Sequence, residues 1–218
     1  VKLPPVMART LASGPDTDTR ERILDAAREL FVAHGVAQTT MRALGARLGM
    51  TAPAIYHHFA DKDALVRELV LADMSRLAAA FARAARVADP VERLQSIGMA
   101  YVRFGIEHPE HYRFLFLTPD AKQGLEEEIQ CRMNEAPEQD AYHLLQVTVA
   151  EAIENGRFGP LYHDVDRVSQ ICWATVHGIV SLHIVFSTQP WLTWRETSVT
   201  AERMLAAMTH GMQQGATG

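Results

Sequence analysis

The 218-residue chain is 48% apolar and 22% charged, the make-up of an ordinary globular protein of one or two domains. Its two cysteines, Cys131 and Cys172, exclude a disulfide framework and fit no metal-ligand spacing, so both are expected to be reduced and buried. The net charge of −5 is unevenly spread: residues 1–65 hold eight Lys/Arg against seven Asp/Glu, and residues 66–218 hold thirteen against nineteen.

Residues 1–17 are rich in Pro, Thr, Gly and Ser, lack periodicity and read as a flexible arm, with Lys2 and Arg9 as its basic groups. The first nineteen residues carry prolines and charges where a signal peptide has an apolar core. Nor does any stretch reach the ~18–20 uninterrupted apolar residues of a membrane span. The most apolar run, 171–186, is broken by Thr175, His177, Gly178, Ser181 and His183. A cytoplasmic location without a membrane segment is expected. The first helix starts at Asp18 or Thr19, where Glu21 is in reach for a capping box. It carries Ile23, Ala27, Leu30 and Phe31 on one face and stops at Gly35.

From Thr39 to Lys62 the spacing predicts two short helices joined by a tight turn. Thr40 caps the first, Leu44 and Leu48 make its buried stripe, and Gly49 ends it. Thr51 caps the second, Pro53 falls in its first turn, and Ile55 and Phe59 pack back onto the leucines across the small Gly45. That is the helix-turn-helix layout, whose second helix enters the DNA major groove. The outward positions suit DNA contact. They are Thr51, Ala52, Pro53, Tyr56, His57 and His58, with Thr40, Arg42 and Lys62 beside them. Arg42 has the fork that grips a guanine bidentately, and Ala52 and Pro53 are small and apolar enough to meet a thymine methyl. Hydroxyl, imidazole and ammonium groups suit phosphate oxygens. A helical hairpin with a merely solvated polar face has the same outline.

The run from Arg20 to Leu69 resembles the N-terminal DNA-binding domain of the TetR family of bacterial transcriptional regulators. The features that carry it are Ala26-Ala27, Leu30-Phe31-Val32-Ala33-His34-Gly35, the threonine pair, Leu48-Gly49, Tyr56-His57-His58-Phe59, and Lys62 with Leu65. The resemblance implies a homodimeric, all-helical repressor released from its operator by a small ligand.

Asp61 caps a fourth helix expected to run from Lys62 to about Arg86, a lever toward the rest of the chain. Pro90 opens a fifth, to about Glu107, ended by His108-Pro109. A short aromatic helix follows from Glu110 to Leu117, then one from Thr118 to about Asn134 with the acidic run 126–128. Another is expected from Gln139 to Asn155, ended by Gly156. The longest apolar helix starts at Val165 and reaches about Thr188. One stripe on it holds Val168, Ile171, Cys172, Ile179, Leu182 and Phe186; a second holds Trp173, Val176, Val180 and Ile184. A helix apolar on two sides must be covered on two sides. The last helix, about 196–212, offers Val199, Leu205, Met208 and Met212. Homodimerisation through 165–188 and 196–212 is therefore expected. The Trp173…His177-Gly178 run, with 108–112 and Glu154-Asn155-Gly156, resembles one C-terminal domain type of the same family, the Trp-His-Gly type.

The expected architecture is all-α: an arm (1–17), a helix-turn-helix domain (18–65) and a ligand-binding and dimerisation domain (66–218). The DNA-contacting set is Thr40, Arg42, Thr51, Ala52, Pro53, Tyr56, His57, His58 and Lys62. Candidate ligand contacts are Tyr101, Phe104, Phe114, Tyr142, Trp173 and His177. The partners are a double-stranded, near-palindromic operator and a small, mostly apolar effector. No cofactor is expected, and no metal, because neither His57/His58 nor His108/His111 has a third ligand nearby. No nucleophile motif, phosphate loop or dinucleotide fingerprint is present. Two alternatives stay open: a helical carrier or enzyme whose N-terminal hairpin only packs, and an activator of the same architecture.

Overall fold

A computed structural model describes residues 15–119, 121–125, 127, 128, 131, 135 and 140–214. Every regular element among these residues is helical, so the all-α expectation holds. The first helix, α1 (Pro15–His34), starts three residues earlier than the capping-box reading. Pro15 opens it, which suits the first turn, where a missing N–H is harmless; Glu21 is thus inside the helix. The expected arm is outside the described residues up to 14, and its last three residues belong to α1. Ile23, Ala26, Ala27 and Phe31 form the buried face of α1, while Leu30 is only half-buried.

Helices α2 (Met41–Leu48) and α3 (Ala52–His58) form the expected motif. Thr40 Oγ1 accepts from Ala43 N at 3.1 Å, and Thr51 Oγ1 accepts from Ala54 N at 3.4 Å. Gly49 sits at φ +67°, and Met50 N donates to Gly45 O at 2.8 Å, closing the turn. A methyl group on Gly45 would stand 2.7 Å from the Met50 carbonyl oxygen, so this turn needs glycine for closeness as well as for conformation. Phe31, Leu44, Ile55 and Phe59 meet in the middle of the three helices. Each such burial is worth about 1.5–3 kcal/mol.

Helix α4 (Lys62–Phe81) is capped by Asp61 and spans roughly 30 Å at 1.5 Å per residue. It stops five residues short of expectation and tightens into a 3-10 turn, Ala84–Arg86. No Gly or Pro signals this. The cause is tertiary: Arg93 donates to the carbonyls of Val87 (2.7 Å) and Ala88 (2.8 Å) and pairs with Glu151, folding the chain back. Helix α5 (Pro90–Glu107) runs through the centre of the body, against α4 and three later helices: α7 (Ala141–Glu154), α8 (Val165–Phe186) and α9 (Thr197–Gln214). Between them come α6 (Pro109–Tyr112) and a π-helical turn, Arg113–Leu117. Residues 121–124 form turns in place of the helix expected from Thr118, and most of 126–139 is outside the described residues.

The body departs from expectation in three respects. The core of the reading head does not stop at residue 65: it takes in Leu69 and Val70 of α4, and Phe114, Ala121 and Leu125 from beyond. The stripes of α8 divide differently from expectation. Val168, Cys172, Val176, Ile179 and Val180 face inward, whereas Ile171, Ala174, Leu182 and Val185 face outward. In α9, Leu205 and Met212 are buried and Met208 packs on the core, leaving Val199 as the exposed member of the expected strip. Helix α8 is long and apolar enough to cross a bilayer by length and composition, yet it packs against α5, α7 and α9. Cys172 is buried as expected, but Cys131 is exposed; both are free thiols.

Gly45→Ala should therefore cost about 1–3 kcal/mol, the usual range for overpacking. Urea denaturation would read it, and an unchanged midpoint would show that the turn relaxes freely.

Candidate nucleic-acid interface and ligand cavity

The outer face of the reading head collects most of the expected DNA contacts. Thr40, Arg42, Thr51, Pro53, Tyr56 and His57 are exposed; Ala52 and His58 are half-buried. Tyr56 is half exposed, a large aromatic side chain with no internal role. The cap bonds use hydroxyl oxygens as acceptors, so Thr40 and Thr51 each keep an O–H free to donate outward. Arg42 has no ion-pair partner among the described residues, whereas Arg47 is held by Glu29 at 2.9 Å.

Lys62 departs from its expected role. Its Nζ donates to Val36 O at 2.9 Å and Thr39 O at 3.3 Å. Two of three ammonium donors are thus tied to the loop before α2, and Lys62 acts first as a clamp that positions Thr40. The other member of the threonine pair supports the same loop from inside: buried Thr39 donates to Gly35 O at 2.9 Å. Arg20, not picked out from sequence, holds the far side. Its guanidinium stacks 4.2 Å over the Phe59 ring, donates to the His58 carbonyl at 3.2 Å and pairs with Glu68.

One polar cluster joins the head to the body. Arg28 of α1 donates through Nε and Nη2 to the two oxygens of Asp73 on α4, at 2.9 Å each. His111 of α6 completes it, with Nδ1 2.7 Å from Asp73 Oδ1. A carboxylate only accepts, so that nitrogen carries the proton. Arg28 and Asp73 are 5% and 1% exposed. Removing one partner of such a buried pair leaves an uncompensated charge and costs about 3–5 kcal/mol. Phe114, expected in the ligand pocket, is instead fully buried in the head, where its ring stacks on Phe31 at 6.0 Å.

The body holds a partly open cavity of about 320 Å³ between α4, α5, α7, α8 and α9. Tyr101, Tyr142 and Trp173 line it as expected. His177 stands behind that wall, and Phe104 is buried elsewhere against His108. Residues that sequence did not single out complete the lining, among them Met74, Leu115, Phe116, Lys122 and Cys172. Phe116 lies in the π-helical turn, and Lys122 in turns that stand where a helix was expected. Behind the wall Trp173 Nε1 donates to the Tyr101 hydroxyl at 3.2 Å. Tyr101 and Tyr112 approach His177 Nδ1 at 3.0 and 2.6 Å. Burial, and then the nearby charge of Lys122, hold the His177 pKa below its ordinary value. The imidazole is therefore held neutral, with Nδ1 in hydrogen-bond reach of both hydroxyls. Burial pushes both tyrosine pKa values up, keeping the hydroxyls protonated as donors. The thiol of Cys172 is likewise pushed up to about 12 and stays protonated.

His108, His177 and His183 all have pKa values lowered from 6.5, chiefly by burial. Each takes up a proton more readily in the unfolded chain. Their contribution to stability is thus full above pH 6.5 and is lost as pH falls through the folded values. Asp89, whose pKa is lowered from 3.8 mainly by its hydrogen bond with Arg157, stays ionised throughout that window. Thermal melts at pH 7.5, 6.5 and 5.5 should show falling stability, with a smaller fall in His177→Gln. A variant as acid-sensitive as the parent would remove His177 from the effect. Asp73→Ala alone should lose about 3–5 kcal/mol, and Arg28→Met with Asp73→Leu much less.

Residues 23–69 match the family described as bacterial regulatory proteins, tetR family, and residues 94–208 match the tetracyclin repressor-like C-terminal domain. The HTH-type transcriptional repressor Rv1474c of Mycobacterium tuberculosis is 45% identical over 64 residues, 29% of this chain but only 34% of that protein. The HTH-type transcriptional repressor KstR2 of Mycobacterium tuberculosis is 30% identical over 160 residues, 72% of this chain and 76% of that one. The solved structure of the ketosteroid transcriptional regulator KstR2 of that organism shares the fold, with a TM-score of 0.70 at 23% identity, covering 89% of this chain and 95% of that chain. With both halves matched and a reading head of this geometry, the chain belongs to the tetR family of bacterial regulatory proteins and is a helix-turn-helix, DNA-binding transcriptional regulator.

Proposed function

We propose that the chain is a cytoplasmic repressor that grips a near-palindromic operator as a homodimer and releases it when a small, mostly apolar ligand fills the body cavity. The observation that carries this reading is the segment from His111 to Phe116. His111 touches the buried Arg28–Asp73 pair, Phe114 sits in the core of the reading head, and Phe116 lies on the cavity wall. Head and cavity therefore share six consecutive residues. A ligand that displaces Phe116 acts on Phe114 and His111 through covalent geometry, and so on α1 and α4. It needs only a difference in affinity between the two head positions. That Rv1474c and KstR2 are named repressors supports the sign of the response.

On DNA, Arg42, Ala52 and Pro53 read base edges, while Thr40, Thr51, Tyr56, His57 and His58 hold phosphates. Lys62 fixes the loop that presents Thr40 and keeps one donor for the backbone. The dimer supplies the second head, about 34–36 Å away on the same face of the duplex. Its interface is the outward side of α8, where Ile171, Ala174, Leu182 and Val185 make an apolar strip. A methyl group on Gly178 would meet nothing within 4 Å, so a partner helix can come close. The match of both halves to regulatory-protein families favours a binding role over an enzyme.

Fluorescence anisotropy on the DNA flanking the chain's own gene tests the reading directly. Arg42→Ala should relax preference at one base pair by about 1–3 kcal/mol, and an even loss across all sequences would assign Arg42 to phosphate instead. Leu182→Glu should shift the chain toward monomer in sedimentation and abolish specific binding. A Leu182→Glu chain that remains dimeric would move the interface elsewhere.

A further inference from the structure

Lys122 is the exception in an otherwise apolar cavity. The described wall is aliphatic and aromatic apart from Lys122 and Asp140, which alone bring formal charge. The Lys122 ammonium lies 5.4 Å from the centre of the Phe116 ring, a cation held over an aromatic face, and no carboxylate is within ion-pair distance among the described residues. Burial pushes its pKa down. Asp140 does not answer it: one carboxylate oxygen accepts from the backbone N–H groups of Tyr142 (2.9 Å) and His143 (3.1 Å), capping α7. Trp173 Nε1 and the Tyr101 hydroxyl are likewise engaged, with each other and with His177. A partly desolvated cation without a counter-ion is unfavourable, and an anion brought into the same low-dielectric space restores the loss through a charge-assisted hydrogen bond.

We propose that Lys122 receives the acid group of an apolar organic anion, a monocarboxylate whose hydrocarbon body fills the cavity between Phe116, Tyr142 and Trp173. This assignment rests on the reading that the cavity holds the effector, and it adds the chemical class of that effector. A cationic ligand is disfavoured, because it would share the cavity with the Lys122 ammonium, which has no carboxylate within ion-pair distance among the described residues. The same ammonium that selects the acid lies over the ring of Phe116. Binding at the head group therefore acts directly on the segment that reaches the reading head.

The test uses the full chain at pH 7.5 with decanoate, decan-1-ol and decylamine as probes, read by calorimetry and by tryptophan fluorescence. Release of the chain's own promoter fragment is followed in parallel. Decanoate should bind roughly tenfold or more tightly than decan-1-ol. Lys122→Met should erase that margin, with an unchanged thermal melt and operator affinity of the ligand-free chain verifying the fold, and Lys122→Arg should retain most of it. If Lys122→Met binds neither probe, Lys122→Gln gives the same readout. Equal affinities of acid and alcohol in the parent chain, tightest binding by the amine, a margin that survives Lys122→Met, or no binding of any probe would each overturn the assignment. The release reading fails separately. Release of DNA by decan-1-ol alone would keep the effector cavity and remove the acid. Lys122-dependent binding of decanoate without release would keep the acid and remove the coupling.

Discussion

The buried pair between Arg28 and Asp73 is the constraint on which the two halves of this molecule depend. Both oxygens of the carboxylate accept from the guanidinium, and His111 adds a third donor. An ion pair this deep contributes little net stability against a hydrophobic equivalent, since removing two charges from water costs about what their attraction returns. Its physical effect is directional. The planar fork and the two oxygens fit in one relative placement, so α1, α4 and α6 are held at a defined geometry rather than sliding over one another. A reading head must present its recognition helix at a set spacing, and apolar contacts alone tolerate small shifts.

Around that pair the chain places a short segment with two allegiances. Phe114 and Phe116 are two residues apart in a helical stretch, so their rings leave the axis on opposite sides. Two steps of a regular α-helix turn by about 200°. One ring enters the core of the head and the other the cavity wall. π-Helical turns like this one are rare and concentrate at functional positions. The same stretch follows Tyr112, whose hydroxyl meets His177 beside the cavity. Coupling between cavity and head needs no long route, because a single turn of backbone belongs to both.

The DNA-facing surface shows how few side chains are free to read when the rest hold the backbone still. Thr39, Lys62 and Arg20 fix the loop before α2 and the end of α3 through backbone carbonyls, and Gly45 lets the turn close. Thr40 and Thr51 serve twice, as caps through oxygen lone pairs and outward through their protons. Arg42, Pro53, Tyr56 and His57 stay exposed on that face, the side chains that the proposed reading gives to the duplex. A surface near electrical neutrality can still bind DNA in this way, provided a second copy doubles the contacts.

The sequence by itself determined the reading head almost completely, because its signals are local. Capping threonines, a helix-stopping glycine, an early proline and i, i+4 apolar pairs act within a few residues of one another, and the fold preserved each of them. Of the six aromatic and histidine side chains it offered for a pocket, Tyr101, Tyr142 and Trp173 line the cavity, whereas Phe104, Phe114 and His177 do not. Tertiary structure decided what depends on partners distant in the chain. The early end of α4 follows from Arg93 reaching back to two carbonyls, and Lys62 becomes a clamp because the loop after α1 comes within hydrogen-bond reach of it. Phe114 leaves the pocket because its packing partner is Phe31, which is distant in the chain and which no local propensity marks. Lys122 enters the cavity from turns at 121–124, where a helix was expected, so helical spacing could not give its direction. Local chemistry specified the elements; only the packing of one element against another specified which face, and which charge, each of them offers.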